Sequence, residues 1–546
     1  MPFTHAIAAK ARFSFLSKVA ACLGLVATSD VLFYGYAGGS VIGLFALTWL
    51  VAIVLVRPAV RRGWGGLVAI LATLLFALVL VYDPTLLGVV LFLVAIGTVT
   101  LLPRHRFETA GLWSVQLAAL AARAPIGPVS DLQRLSKLPG RGRWLGRAIL
   151  LQLALPLIGG GLFLALFAHA NPVLGSALGT IRLPGLGSLF PHFLLIAFTL
   201  VPVWSALRPR AMRFASDHEP VNVRLPDLSV ATMLVTLVAF NAVFALQNAL
   251  DIAFLWSGAT LPQGVTLADY AHRGAYTLIV TALLAGLFVL VALQPGSPAA
   301  RNPFVRRLVL LWIAQNVFLV ASSALRLFDY IDAYSLTVLR IAALMWMALV
   351  ATGLVLICWR FMTKRSAAWL INANALAAAI VLCGASVVDL GAVAARWNVD
   401  HLRDPGRLDL CYLAQQGSSA LIPLIELRDA PTGAAMRDRA VYLSEEEYRD
   451  LARRQADWQA WTWRGQRRLA AAEALLAGDT RQPLPAAHGR HCDGSRRAPP
   501  PPPPSLNVPA AQAAPTARPQ TMPAQPSTPS GTTSDASAPL TQGENP

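Results

Sequence analysis

The sequence predicts an all-α, polytopic membrane bundle of about 11 transmembrane helices, followed by a small helical periplasmic region and a disordered Pro-rich tail. Three observations predict it. Apolar runs recur eleven times before residue 392, each near the roughly 20 helical residues that a hydrocarbon core about 30 Å thick requires. Basic residues collect in every second gap between those runs. From about residue 480 the composition turns to Pro, Ala, Ser, Thr and Gln, with six consecutive prolines from Pro499 to Pro504.

The runs fall at about 19–35, 41–56, 66–82, 85–102, 148–168, 189–206, 229–256, 276–294, 308–326, 341–359 and 368–390. Inside lipid every backbone amide must be satisfied within its own segment, so each run is expected to be helical. The second run is short before Arg57, and Lys18 interrupts the start of the first, which leaves both open to tilting or partial re-entry. Lys10, Arg12 and Lys18 ahead of VAACLGLVATS have the make-up of a signal peptide. Because ten further runs follow, an uncleaved first helix is the expectation.

Orientation follows from lysine and arginine, which are retained on the cytoplasmic side. With a cytoplasmic N-terminus the inside gaps hold 24 of them, whereas the alternate gaps hold only Arg182, Arg273 and the boundary residues Arg326 and Arg340. An odd number of spans then puts the C-terminus in the periplasm, and the expected address is a bacterial inner membrane. The formal charge of +17 is this same signal, because residues 1–390 carry 28 Lys and Arg against 12 acids and residues 391–546 carry 17 against 16. No basic domain is left to grip a phosphate backbone, so the expected partner is the lipid bilayer and its anionic headgroups, with no nucleic acid.

Residues 1–392 are therefore read as the transmembrane bundle, with one long cytoplasmic loop at 103–147. Its stretch ETAGLWSVQLAALAARA places Leu112, Leu117, Leu120 and Ala121 at helical spacing, either as a helix lying among headgroups or as one capping the ends of the bundle. Residues 393–479 form the small helical region. There Ser444 and Glu447 have capping-box spacing, Gly478 is a helix stop, and Tyr448, Leu451 and Trp458 share a stripe. Trp461 and Trp463 fall off that stripe, which implies a second apolar contact with another helix or the membrane interface. Residues 480–546 cannot bury enough apolar surface to offset the entropy of ordering them. Cys22, Cys358 and Cys383 lie in spans as small apolar groups. Cys411 and Cys492 face an oxidising compartment, and their pairing stays open because Cys492 falls within the tail composition.

Charged side chains at membrane depth are costly and are the natural functional candidates. Asn241, Asn248 and Asp251 in span seven are separated by seven and three residues and so share one helical face, with Gln247 beside them. Asp269, Tyr270, His272 and Arg273 crowd the loop after it, where His272 titrates nearest neutrality. Arg326, Asp329, Asp332 and Arg340, with Tyr330 and Tyr334 as interface anchors, are spaced for alternating ion pairs, and Arg340 needs an acid from Asp329, Asp332 or Asp251. Each cluster also reads as structural glue between helices or as an ordinary polar loop. No HExxH pair, phosphate-binding glycine loop, GxSxG elbow or Cys/His cluster of ligand spacing occurs, so no catalytic residue, metal or cofactor is expected.

The stretches FALQNALDIAFLW, LADYAHRGAYTLIVTALLAG, LRLFDYIDAYSLTVLRI and ARWNVDHLRDPGRLDLCYLAQQGSSALIPLI, in this order across about 190–425, resemble a bacterial membrane family, domain-of-unknown-function family no. 4173, and its relative no. 4153. Asp251, Tyr270 to Gly274, Tyr334 to Arg340 and Ala395 to Asn398 take the family's positions. The chain departs from it with Ser335 where the family has the turn glycine and Trp397 where it has tyrosine. The resemblance implies a shared polar core and no activity. The functional expectation is a cavity open to the periplasm, formed by spans seven to ten with Asp251 and Arg340 as its charge pair, that moves a small solute with or without a proton. The alternatives are a sensor or scaffold meeting an envelope partner through residues 393–479, and a membrane-embedded transferase acting on a lipid-linked substrate.

Overall fold

In the computed structural model the described residues are 2–35, 38–136, 186–209, 229–256, 302–402 and 408–499, with isolated positions at 159–160, 163–164, 166–167, 171 and 284. Through residue 387 they form α1 (Pro2–Phe33), α2 (Val41–Val56), α3 (Trp64–Tyr82), α4 (Leu86–Leu101), α5 (Ala110–Arg123), α6 (Ile126–Ser136), α7 (Leu186–Leu207), α8 (Val230–Asp251), α9 (Pro303–Tyr334), α10 (Val338–Thr363) and α11 (Ala367–Val387). Seven of these hold a stretch long and apolar enough to cross a membrane, and α2 and α4 are shorter apolar helices. They correspond to nine of the eleven expected runs; those at 148–168 and 276–294 fall almost wholly outside the described residues. No strand occurs among the described residues.

Small residues decide how closely the helices approach. On α3, Gly66, Ala69, Thr73, Ala77 and Leu80 are buried at spacings of three and four, whereas Leu67, Leu71, Leu75 and Leu78 are exposed. That is the pattern of a helix with one protein face and one lipid face. On α2 a Cβ at Gly43 would lie 2.2 Å from the Val81 amide nitrogen, so only glycine permits this contact.

Two helix C-termini meet one buried arginine. Arg57, just past α2, donates to Thr100 O near the end of α4 (3.1 Å) and to Ala206 O near the end of α7 (2.8 Å). The last carbonyls of a helix lack intrahelical partners and carry partial negative charge, which a guanidinium there satisfies. At the same end α5 lies against α4 and α11. Trp113 is buried and donates to Thr98 (3.1 Å), and the Ala110 amide donates to Asn372 of α11 (2.7 Å).

Beyond α11 the chain builds a helical cap from α12 (Leu390–Asp400), α13 (Leu410–Gln415), α14 (Leu421–Leu427), α15 (Ala434–Ala456) and α16 (Trp463–Leu476). Leu413, Leu421, Leu424, Leu427, Ala440 and Ala472 are fully buried in it. Ser444 does not cap a helix: it lies inside α15, buried, donating to Val441 O (3.1 Å) and accepting from Arg428 Nε (2.8 Å). The helix begins instead at Gly433, at φ +86°, so the Ser-x-x-Glu spacing falls mid-helix. Because α15 ends at Ala456, Trp458 leaves the stripe of Tyr448 and Leu451 and is exposed. Gly478, at φ +82°, does follow the end of α16.

A clasp closes the cap. Cys411 and Cys492 form a disulfide, Arg490 pairs with Asp438 (2.8 Å), and Arg428 pairs with Asp479 (3.0 Å). The Arg481 guanidinium beside Asp479 holds its carboxyl well below the usual carboxylate range. These contacts carry the chain past residue 480, where the composition changes, to Arg497; Ala498–Pro546 is a separate unit.

The cap sits on the bundle end opposite Arg57. The Gly39 and Ser40 amides donate to Gln459 O and Trp461 O (both 2.8 Å), and Gln459 Nε2 donates to Val31 O (3.1 Å) and Leu32 O (3.2 Å) at the end of α1. Arg464 pairs with Asp83 just past α3 (2.6 Å). A Cβ at Gly39 would lie 2.4 Å from Trp461 O. Gly39→Ala is therefore expected to lower the melting temperature of the purified protein, at an overpacking cost of about 1–3 kcal/mol. Gly24→Ala, whose Cβ meets nothing within 4 Å in the interior of α1, is expected not to lower it.

Candidate functional site: a polar seam between α8 and α9

The seven- and three-residue spacing of Asn241, Asn248 and Asp251 puts all three on the buried face of α8, against α9. The two helices run in the same direction, because successive contacts advance together along both. Asn241 Nδ2 donates to Leu308 O (3.1 Å), Asn248 Nδ2 to Gln315 O (3.4 Å) and Trp256 Nε1 to Ser322 Oγ (3.1 Å). From α9 come Asn316, Ser322, Ser323 and Arg326, all buried. Asn316 Nδ2 returns to Trp312 O (2.8 Å) and Ser323 Oγ to Leu319 O (2.8 Å).

At one end of the seam Arg326 Nη2 donates to Asp251 Oδ1, with side chains 7% and 1% exposed. Gln247 Nε2 donates to the same oxygen (2.9 Å). Neither charge is tolerable alone at membrane depth, so each fixes the other. Directly after Asp251 the helix widens into a π turn over Ile252–Trp256, a local form that recurs at functional sites.

The amide orientations follow from their partners. Asn241 places its nitrogen on two carbonyls, Leu237 O (2.7 Å) and Leu308 O. Its oxygen thus points elsewhere, and Asn241 Oδ1, Asn248 Oδ1, Gln315 Oε1 and Asp251 Oδ2 are buried with no donor in hydrogen-bond reach among the described residues. Four such acceptors along one seam are unusual, since buried polar atoms are ordinarily paired.

Arg340 does not pair with Asp251, nor with Asp329 or Asp332. It lies in the first turn of α10 and reaches back over the preceding turn, donating to Tyr334 O (2.6 Å) and Ser335 O, with its guanidinium 4.3 Å from the Tyr330 ring centre. Carbonyls and an aromatic face thus replace the expected acid. Asp329, Asp332 and Tyr334 are exposed, so the alternating ion-pair ladder does not form, and Arg326 turns inward to α8. Asp269, Tyr270, His272 and Arg273 lie outside the described residues.

Asn398 of α12 was not among the expected site residues. It accepts from the Leu336 amide (2.6 Å) and donates to the Leu336 carbonyl (2.9 Å), and Tyr412 OH accepts from the Val338 amide (2.8 Å). Both grip the α9–α10 turn, where Ser335 holds φ +70° and ψ 165°. Glycine alone adopts that region without strain, which fits the glycine expected there from the resemblance. Its composition gave Asn398 no signal; only its place in ARWN did.

Helices of this length and apolarity, with a paired charge buried between two of them, define a multi-pass integral membrane protein. The chain belongs to the family described as Domain of unknown function (DUF4153), whose model matches residues 66–427. The match starts well before the four resembling stretches and takes in α3 through α14. No curated protein and no solved structure matches the chain.

Arg326→Gln leaves Asp251 buried beside a neutral group and is expected to destabilise the protein by about 3–5 kcal/mol. Adding Asp251→Asn is expected to recover a large part of that loss, read as a double-mutant cycle of melting temperatures in one detergent. Ser335→Gly removes backbone strain of about 1–3 kcal/mol and is expected to raise the melting temperature.

Proposed function

We propose that this protein is a small-solute transporter of a bacterial inner membrane, with its N-terminus cytoplasmic, its helical cap periplasmic and the α8–α9 seam as one wall of the solute path. One observation carries the proposal: four buried acceptor oxygens, Asn241 Oδ1, Asn248 Oδ1, Gln315 Oε1 and Asp251 Oδ2, have no donor among the described residues. A buried acceptor without a donor costs about 1–3 kcal/mol, and a path selected for solutes that donate hydrogen bonds explains why it is kept. Arg326 neutralises Asp251, so the wall favours neutral or singly cationic donors such as polyols, amides and small amines. The four resembling stretches favour family no. 4173 as the finer assignment within this reading.

The cap supports a second reading, a membrane scaffold for an envelope partner, because Gln459, Arg464 and the 39–40 amides fasten it to the bundle. Proteoliposomes separate the two. Swelling in glycerol or urea, or internal alkalinisation with methylammonium, is expected to exceed that of empty liposomes for at least one solute. Asn241→Leu with Asn248→Leu is expected to return that rate to background at unchanged reconstitution. If no solute is conducted, and a deletion strain is rescued by the double variant but not by a truncation after residue 392, the scaffold reading replaces transport.

A further inference from the structure

On the cap side of the bundle an open pocket of about 330 Å³ lies between the end of α3, α12, α14 and α16. Arg396, Arg464, Arg467, Arg468, Ser419 and Tyr82 line it, and among the described residues no carboxylate does. The acids stand behind the arginines. Asp389 accepts from Arg468 Nη2 and from Ser419 Oγ (3.0 Å), Asp83 pairs with Arg464 (2.6 Å), and Glu426 with Arg396 (3.0 Å). Burial pushes the Asp389 carboxyl upward, but the Ala392 amide, Arg468 and Ser419 outweigh it and hold it below its ordinary value. It is therefore ionised at neutral pH and fixes the Arg468 fork in place, as Asp83 fixes that of Arg464.

With those forks fixed, donors remain. Among the described residues Arg467 is exposed and makes no hydrogen bond or ion pair, and Arg464 and Arg468 bond through their Nη atoms, leaving Nε. Arg396 uses Nη1 and Nε on Glu426 and Asp400, leaving Nη2. Two held guanidiniums, Arg464 and Arg468, and the exposed Arg467 beside them, with unspent N–H groups around a space larger than a carboxylate fills, suit a tetrahedral oxyanion. Tyr82 ends the apolar helix α3 and Arg464 stacks over its ring at 4.9 Å, which sets the pocket where apolar span meets polar cap. Interfacial aromatics sit at headgroup level, and basic pockets there take lipid phosphates.

We propose that this pocket binds a phosphate group, supplied by an anionic lipid headgroup or by free phosphate. The proposal is independent of the transport reading. It is tested on the full chain in nanodiscs of phosphatidylcholine, without and with increasing phosphatidylglycerol, and in phosphatidylcholine nanodiscs titrated with inorganic phosphate, reading the melting temperature. The wild type is expected to be stabilised by at least one of the two. Phosphatidylglycerol alone would assign the lipid as source, and a response to inorganic phosphate would assign the free anion. Arg467→Gln, a change at an exposed side chain, is expected to shift the half-saturating concentration up about tenfold, the worth of one charge-assisted contact. Arg453→Gln, an exposed arginine of α15, is expected to leave it unchanged. Absence of any stabilisation in the wild type, or equal shifts in the two variants, would overturn the proposal.

Discussion

The pairing of Asp251 with Arg326 is the constraint on which the rest of the described structure depends. A carboxylate and a guanidinium at 1% and 7% exposure can persist only together. Their contact sets the register of α8 on α9, and the Asn241, Asn248 and Trp256 contacts fall into place along the same line. It also turns Arg326 away from the end of α9, leaving Arg340 to satisfy itself on the turn carbonyls and Tyr330. That turn, strained at Ser335, is then held from the other side by Asn398 and Tyr412.

Three of the four family-like stretches are joined by these few bonds. FALQNALDIAFLW meets LRLFDYIDAYSLTVLRI through the ion pair, and the latter meets the ARWN segment through Asn398 on Leu336. The fourth, apart from Leu284, lies outside the described residues. In this chain those three stretches form a connected polar spine running from the interior of the bundle to the cap.

Much of this was legible in the sequence and some was not, for physical reasons. Apolar runs declare themselves because lipid admits little else, and nine appear as helices. The face shared by Asn241, Asn248 and Asp251 follows from helical periodicity alone. The identity of Asp251's partner did not follow, because spacing along one chain cannot say which arginine a neighbouring helix turns inward. Ser444 misled for a related reason. A Ser-x-x-Glu spacing is a helix start only if the chain is not already helical, and Gly433 had begun α15 eleven residues earlier. The clasp was hidden by composition: residues 480–497 read as tail, yet Arg490 and Cys492 find Asp438 and Cys411 across distances in sequence that no local pattern reports.

One short helix joins the two regions of interest. Asp389, the N-cap of α12, fixes Arg468 and Ser419 at the arginine pocket, while Asn398 near the other end of α12 holds the turn that terminates α9. At about 1.5 Å of rise per residue the two are roughly 14 Å apart along a rigid rod. The rod cannot shorten, and Asn398 grips both the amide and the carbonyl of Leu336, so α12 cannot slide without pulling on the end of α9. Arg326, less than three turns from that end, would feel the pull through its own helix. The seam and the pocket, charged sites on different parts of the fold, thus share one mechanical connection whose ends are each a single polar side chain.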